Sequence, residues 1–280
     1  MVFCYFIATP KKERACIVST MKTSSARIVT LAFIFITAYH ASAYTPLSEQ
    51  ILPETVAVNR HLLTVEGLLN TTVFDDRFDE EKLETTEQIN IEGIGSFRSE
   101  RYTPSGKDIL IQSGRKAFAE IHESSNVNIR RLETLFPLIY FHNSVDSPMD
   151  NLHYLGFDTR IVVFDRANDT VAFAIGTGDT ENPGGTLWID KKQGFPLKFI
   201  GIGTVEGECI SLRVDYLDYT RVKQRFRLPT RINYYINDKL LTTRTFQKVS
   251  INQPIANSFF ETADDSNSCI PLAHFITARD

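Results

Sequence analysis

The sequence predicts an α+β protein that is mostly β: a curved antiparallel sheet with one apolar concave face, covered by an N-terminal helix and a short helical pair. Apolar and polar residues alternate with a period of two along most segments after Gln88. Turn residues separate these segments at regular spacing. One apolar helical segment precedes the strands and another interrupts them, and such helices bury the apolar face of an antiparallel sheet.

The N-terminal region contains a predicted cleavable signal peptide, residues 21–43. Lys22 and Arg27 supply its positive charge, residues 28–39 are uncharged and mostly apolar, and a small-x-small sequence ends at Ala43. As a helix the apolar run would span about 18 Å, less than the roughly 30 Å of a membrane core. Cleavage after Ala43 and export are therefore expected, and an uncleaved anchor is the weaker alternative.

Residues 1–20 do not fit a second export signal. They contain a short apolar run followed by a basic cluster, and we interpret them as a start-site artefact upstream of Met21. The working chain then begins near Tyr44, and residues 44–280 contain no low-complexity linker. We predict a single domain over this range.

A helical period marks the start of this domain. Apolar residues recur at helical spacing, which predicts one long helix over residues 47–69. The recurring residues are Leu47, Ile51, Val58, Leu62, Val65 and Leu69. Residues 74–87 are strongly acidic, and we predict a solvated helix or loop there rather than a metal site.

Nine or ten strands are predicted from Gln88 onward. Residues 128–154 interrupt them with two apolar segments that contain prolines, which predicts two short helices. Turn signals of the Gly, Pro, Asn and Asp type separate the strands. The turns are expected at residues 103–106, 114–116, 168–169, 192–194 and 237–238.

The charge of the chain limits the classes of partner. Five of the 30 Lys and Arg residues and one of the 34 Asp and Glu residues precede Tyr44, which leaves 25 basic against 33 acidic residues. A net charge of −8 without a basic stripe argues against nucleic acid as a partner and disfavours simple electrostatic docking on anionic lipid.

The sequence lacks the common catalytic motifs. The histidines after the leader form no His-Glu-x-x-His pattern, and no Gly-x-Ser-x-Gly elbow occurs. The glycine cluster at 201–207 leads into a strand rather than a helix, so it predicts a turn and not a phosphate site. We therefore expect no catalytic residue, metal or cofactor, and a Cys or Ser nucleophile that finds its partners through the fold is the alternative.

Two further features leave alternatives open. Residues 135–141 (LFPLIYF) are all apolar, which fits either a short buried helix or a hydrophobic lid over a ligand cavity. Cys209 and Cys269 are the cysteines that remain after the leader, and in an oxidising compartment they form either a disulfide or two separate thiols. A disulfide would close a loop of about 60 residues and contribute roughly 4 kcal/mol to stability.

Several short motifs, in order, resemble those of one family, the LolA/LolB-like outer-membrane lipoprotein-sorting proteins. After a long N-terminal helix, residues 93–100 (GIGSFRSE) are similar to the family's "pG-x-FR-x-E" segment. Residues 173–176 (FAIG), 187–191 (LWIDK) and 195–197 (FPL) resemble its "viG … lWiDk … lP" run. Residues 228–232 (LPTRI) resemble one of its closing strands.

The resemblance implies a half-open barrel whose helices form a lid over an apolar cavity, and it implies binding of acyl chains rather than catalysis. Arg98 is the nearest candidate for the family's lid-locking arginine, with a surface salt bridge as the alternative. The lid residues are expected to be Leu135, Phe136, Leu138, Ile139 and Phe141. The alternation places on the inner sheet face Phe97, Ile109, Ile111, Phe173, Trp188, Phe199, Leu212, Val214 and Ile232, although a slip of one residue would invert a strand.

The leading functional hypothesis is a periplasmic carrier for acylated lipoproteins or lipids. The resemblance implies an inner-membrane exporter complex and an outer-membrane acceptor as its partners, and we expect the carrier to be monomeric. The second hypothesis is a non-transporting lipid or lipoprotein sensor, or an accessory subunit of an exporter complex. The third is a secreted hydrolase.

Overall fold

The computed structural model describes residues 45–74, 82–93, 95–114, 116–120, 133–141, 146–176, 185–205, 208–223, 226–261 and 270–271. The described residues from Thr45 onward belong to one compact unit. The predicted signal peptide and start-site artefact lie outside the described residues, as do Cys269 and the side chain of Cys209. Cleavage and the disulfide therefore remain predictions.

Thirteen strands of the described residues form one open, curved antiparallel sheet, which confirms the predicted fold class and exceeds the predicted strand number. The spatial order is β13-β5-β4-β3-β2-β1-β12-β11-β10-β9-β8-β7-β6. The strands are β1 Thr64–Phe74, β2 Lys82–Glu92, β3 Ser96–Thr103, β4 Gly106–Ser113, β5 Lys116–Glu120, β6 Val162–Ala167, β7 Thr170–Gly176, β8 Thr186–Asp190, β9 Pro196–Val205, β10 Glu208–Val222, β11 Phe226–Ile236, β12 Lys239–Ile251 and β13 Ile270–Pro271.

Three α-helices accompany the sheet in the described residues. They are α1 Ser48–Asn59, α2 Leu135–Tyr140 and α3 Asp146–Tyr154, and a short 3₁₀ helix, Asn257–Phe260, follows β12. Helix α3 contacts both other helices, and α1 also contacts β11. The two short helices predicted inside residues 128–154 are therefore confirmed. None of the helices in the described ranges has the length and apolarity to cross a membrane.

The long N-terminal helix predicted over residues 47–69 is wrong in its second half. Helix α1 ends at Asn59, and β1 runs from Thr64 between β2 and β12. Val65 and Leu69 are four residues apart, a spacing that fits both a helical face and one face of a strand. Hydrogen bonding to the two neighbouring strands makes these residues a strand rather than a helix, and one of those strands, β12, is distant in sequence.

The solvated helix or loop predicted for the acidic residues 74–87 is also wrong, at least for residues 82–87, which the structure describes. Residues 82–87 form the first half of β2 rather than a solvated helix or loop, and residues 75–81 lie outside the described residues. Within β2, burial alternates: Thr85 and Glu87 are buried, while Glu84 and Thr86 are exposed. Pairing with β1 and β3 therefore overrides the local charge.

The hairpin turns predicted from Asn-Asp pairs are confirmed. Asn168 and Asp169 have φ angles of 49° and 61°, and Asn237 and Asp238 have 49° and 63°. Two consecutive residues with positive φ give the type I′ geometry that matches the twist of the flanking strands. These turns fix the register of β6 with β7 and of β11 with β12.

Candidate ligand-binding site

Helix α2 packs against the apolar face of the sheet. We call this the inner face because the helices cover it. Its residues Leu135, Phe136, Ile139 and Tyr140, with the following Phe141, belong to the main buried core cluster. Fully burying such a side chain contributes about 1.5–3 kcal/mol. The apolar run at 135–141 is thus a buried helix that also has the position of a lid.

Aromatic contacts join this helix to the sheet. The ring centroid of Phe136 lies 5.0 Å from that of Tyr140 in a stacked pair, and 6.1 Å from those of Phe141 and Tyr216. Tyr140 stacks on Tyr219 at 6.3 Å. Because Tyr216 and Tyr219 belong to β10, the helix is anchored directly on the centre of the inner face.

Polar contacts fix the second half of the same helix. The Tyr140 hydroxyl donates a hydrogen bond to the carbonyl oxygen of Arg227, and burial raises the pKa of that hydroxyl. The side-chain amide of Asn151 in α3 donates to the carbonyl oxygen of Leu138 over 3.0 Å. These bonds satisfy polar groups that would otherwise be buried without partners.

Most predicted site residues are brought together here. The inner-face cluster includes the predicted sheet residues Phe97, Phe173, Phe199, Leu212, Val214 and Ile232. The predicted lid residues Leu135, Phe136, Ile139 and Phe141 belong to the same cluster. Leu138 is buried beside it and lines a crevice of about 10 Å³ between the helices and β8. This crevice is far smaller than the roughly 300–1,000 Å³ of typical ligand pockets.

The side of the sheet predicted for Ile109 and Ile111 is wrong. Their strand β4 pairs with β3 so that Leu110 faces Ser99, and Leu110 lies in the inner cluster. Ile109 and Ile111 face Glu100 and Arg98 on the opposite side, which we call the outer face. The run Ile-Leu-Ile has no alternation, so the sequence cannot tell which of its two faces is buried.

Trp188 also lies on the outer face. It belongs to the small second core cluster, with Ala174 and Leu197, whereas Leu187 and Ile189 face inward. The Trp188 indole N–H donates to the Asp165 carboxylate over 2.9 Å, which holds the pKa of that carboxyl below its usual range. All residues of β8 are buried, so both of its faces have apolar positions.

The corrected facing can be tested on two adjacent residues. Leu110→Ala should lower the free energy of unfolding by about 2–5 kcal/mol because it opens a cavity in the inner core. Ile109→Ala, on the half-buried outer side, should cost about 1 kcal/mol. Urea unfolding of both variants measures the difference, and equal losses would contradict the register.

A buried ionic cluster, made of Glu87, Arg101, Glu133 and Arg244, interrupts the apolar surface. All four side chains are at most 2% exposed. The Glu87 carboxylate accepts from Arg101 Nη2 at 3.2 Å and from Arg244 Nη2 at 2.5 Å. Arg101 Nη2 also bonds Glu133 Oε1 at 2.7 Å, and Arg244 Nη1 lies 3.8 Å from Glu133 Oε2.

Neutral groups complete this ionic cluster. Thr71 Oγ1 donates to Glu87 over 2.7 Å, Ser99 donates to the same carboxylate, and Arg244 Nη1 donates to the Tyr234 hydroxyl over 3.4 Å. Burial alone would lower the pKa of Arg101, but the carboxylates of Glu87 and Glu133 outweigh it and raise that pKa. Both guanidinium groups are therefore held charged inside the core.

The ionic cluster was missed in the sequence, although a signal existed. Glu87, Ile89 and Ile91 have the same parity in β2, and Phe97 and Arg101 have the same parity in β3. Extending the apolar alternation by one step would have placed a carboxylate and a guanidinium on the inner face, directly opposite each other. Arg244 and Glu133 are distant in sequence and carry no comparable signal.

Among the described residues, Arg98 forms a salt bridge rather than a contact with residues 135–141, so the second of its two predicted roles is the one observed. It lies on the outer face, where Nη2 pairs with Glu100 at 2.7 Å and Nη1 donates to the carbonyl of Phe259 over 3.0 Å. Its guanidinium lies 5.3 Å from the Phe259 ring centroid. Arg101, three residues later and on the other face, instead bonds Glu133, two residues before α2.

The described residues hold no group of His, Cys, Asp and Glu side chains suited to a metal ion. Ion pairs and hydrogen bonds on the inner face converge on the Glu87 carboxylate, with an aliphatic and aromatic surface beside them. Such a surface is suited to holding an apolar chain with a polar end.

The open, curved antiparallel sheet with helices over its inner face is similar to solved LolA-like structures, so the predicted resemblance is confirmed at the level of the fold. A putative outer-membrane lipoprotein-sorting protein domain from Vibrio parahaemolyticus matches with a TM-score of 0.50 and 10% identity, over 76% of this chain and 95% of that one. A LolA superfamily protein from Nitrosomonas europaea matches with a TM-score of 0.50 and 10% identity, over 78% and 99%. No protein-family model matches the sequence, and no curated protein does.

Proposed function

We propose that this protein is a periplasmic carrier that binds the acyl chains of lipoproteins or lipids and transfers them between membranes. One observation carries the proposal: a short, wholly apolar helix occupies the inner face of a LolA-like sheet, where an acyl chain would be shielded from water. On this proposal α2 is a plug, which the ligand displaces on binding and which returns on release.

The energies of the two states support such an exchange. An acyl chain of about 15 methylenes gains about 12 kcal/mol when it is buried, at ~0.8 kcal/mol per methylene. The five predicted lid side chains gain about 8–15 kcal/mol when they are buried instead. Because the two gains are similar, neither the loaded nor the empty state is a trap, and a carrier needs that balance.

Transfer between membranes is the measurement that tests the function. Protein purified from the periplasm should yield acylated lipoproteins or lipids on solvent extraction and mass spectrometry. When loaded protein is mixed with acceptor vesicles, the acyl ligand should move to the vesicles. Protein that comes out free of lipid and binds no added acyl ligand would contradict the proposal.

The second candidate is a non-transporting sensor or accessory subunit of a membrane exporter complex. The dense packing of α2 favours it, because a sensor needs a stable empty state. The same vesicle experiment separates the candidates: a carrier releases its ligand to the acceptor, whereas a sensor retains it. An inner-membrane exporter and an outer-membrane acceptor are the partners that the carrier proposal requires.

A further inference from the structure

The buried ionic cluster indicates the chemistry of the ligand's polar end, and this inference rests on the proposed function. We propose that Arg101 and Arg244 bind the anionic head of an acyl ligand, which replaces the Glu133 carboxylate when α2 leaves the inner face. Among the lipids and lipoproteins of the proposed function, the ligand is then a lipid whose acyl chain ends in a carboxylate or phosphate, because the acyl groups of lipoproteins are neutral esters and amides.

The two carboxylates of the ionic cluster belong to different parts of the structure. Glu87 is in β2, in the middle of the sheet, whereas Glu133 lies two residues before α2. Movement of α2 out of the inner face therefore pulls on Glu133 and leaves Glu87 in place. Glu133 is therefore the member of the ionic cluster that moves with α2.

Removal of Glu133 takes one acceptor from each guanidinium group. Arg101 Nη2 loses its 2.7 Å bond to Glu133 and keeps the 3.2 Å bond to Glu87, while Arg244 Nη1 loses the carboxylate at 3.8 Å and keeps the Tyr234 hydroxyl at 3.4 Å. Arg101 Nε is already buried without a hydrogen-bond partner among the described residues. A buried charged donor left in this way is costly.

Two other acids of this face, Glu87 and Asp108, lie opposite Arg101 in the sheet, and both already have interactions. Glu87 already accepts from both arginines, from Thr71 and from Ser99. Asp108 lies opposite Arg101 in the pairing of β3 and β4, and it has an interaction of its own. An incoming oxyanion could take the place of Glu133 and also accept from Arg101 Nε.

The geometry of the guanidinium groups defines the ligand chemistry. Arginine presents planar paired donors that match the two oxygens of a carboxylate or phosphate. The apolar inner face beside the ionic cluster takes the chain. A neutral ester with the same chain would fill the apolar surface but would give the two guanidinium groups no charged replacement for Glu133.

Binding of matched probes tests the inference without any mutation. Palmitate and methyl palmitate have the same chain, and we expect palmitate to bind the wild-type protein at least tenfold more tightly. Palmitoyl lysophosphatidic acid tests a phosphate head, while acetate and inorganic phosphate test the head alone and should bind weakly. Equal affinity for palmitate and its methyl ester would overturn this inference and leave the proposed function intact. Failure of both to bind would overturn the proposed function.

A variant of the plug carboxylate gives an independent readout. Glu133→Gln weakens the internal competitor, so palmitate affinity should rise about tenfold, and more than the affinity for methyl palmitate. Glu100→Gln makes the same chemical change on the outer face, beside Arg98 and Lys107, and should change neither affinity. A parallel rise for both probes in Glu133→Gln would assign Glu133 to plug closure alone and overturn its role as a substitute for the head group.

Discussion

Glu87→Gln should lower the free energy of unfolding by about 3–5 kcal/mol, the largest loss that we expect from a single polar substitution. The Glu87 carboxylate accepts hydrogen bonds from both buried arginines, from Thr71 and from Ser99. With a neutral amide at position 87, Glu133 remains as the carboxylate that the two buried guanidinium groups share. Their positive charges are then incompletely compensated, which lowers stability.

Urea unfolding of Glu87→Gln and Glu100→Gln measures this effect against a matched control. Glu100 also pairs with two basic side chains, at 2.7 Å from Arg98 and 3.2 Å from Lys107. Because it lies on the outer face, its loss should cost about 1 kcal/mol or less. A loss under about 1 kcal/mol in both variants would mean that the buried ionic cluster does not hold the sheet together.

Phe136→Ala should have opposite effects on the empty protein and on the acyl complex. Phe136 contacts Tyr140, Phe141 and Tyr216 in the closed state, so its truncation should cost the empty protein about 3–5 kcal/mol. If the ligand displaces the plug, these contacts are already absent in the complex. Acyl affinity should therefore increase by about 10²- to 10³-fold, since 1.4 kcal/mol corresponds to about a factor of ten.

Phe199→Ala is the control for a residue of the sheet wall. Phe199 is fully buried in β9 and lies 5.4 Å from the Phe157 ring, measured between centroids. It contributes to both states, so its truncation should destabilise the empty protein without raising acyl affinity. Thermal unfolding with and without palmitate measures both effects. If the two variants weaken palmitate binding equally, α2 is a permanent part of the core and not a plug.

The sequence predicts those parts of the structure whose signals are local. The Asn-Asp turns have a backbone conformation that few other residues adopt, and they are where the sequence places them. The apolar run at 135–141 has no polar side to expose, and it is buried. Six of the nine predicted sheet residues lie on the inner face, and the alternation is clearest in β10, to which Leu212 and Val214 belong.

The remaining features depend on partners that are distant in the chain. Residues 60–69 fit a helix until β2 and β12 are placed on either side of them. The facing of Ile109, Ile111 and Trp188 depends on the pairing register, because their strands are apolar on both sides. The ionic cluster unites residues from four separate segments, and its Glu87–Arg244 pair is 157 residues apart.

The location of the acyl chain in the complex tests the central claim most directly. A fatty acid with a photoreactive diazirine in its chain can be bound, cross-linked by light and mapped by mass spectrometry. We predict cross-links to inner-face residues such as Leu212, Val214 and Ile232, with the plug residues 135–141 exposed to solvent labelling in the loaded protein. Cross-links confined to the outer face, near Ile109, Ile111 and Trp188, would contradict the account.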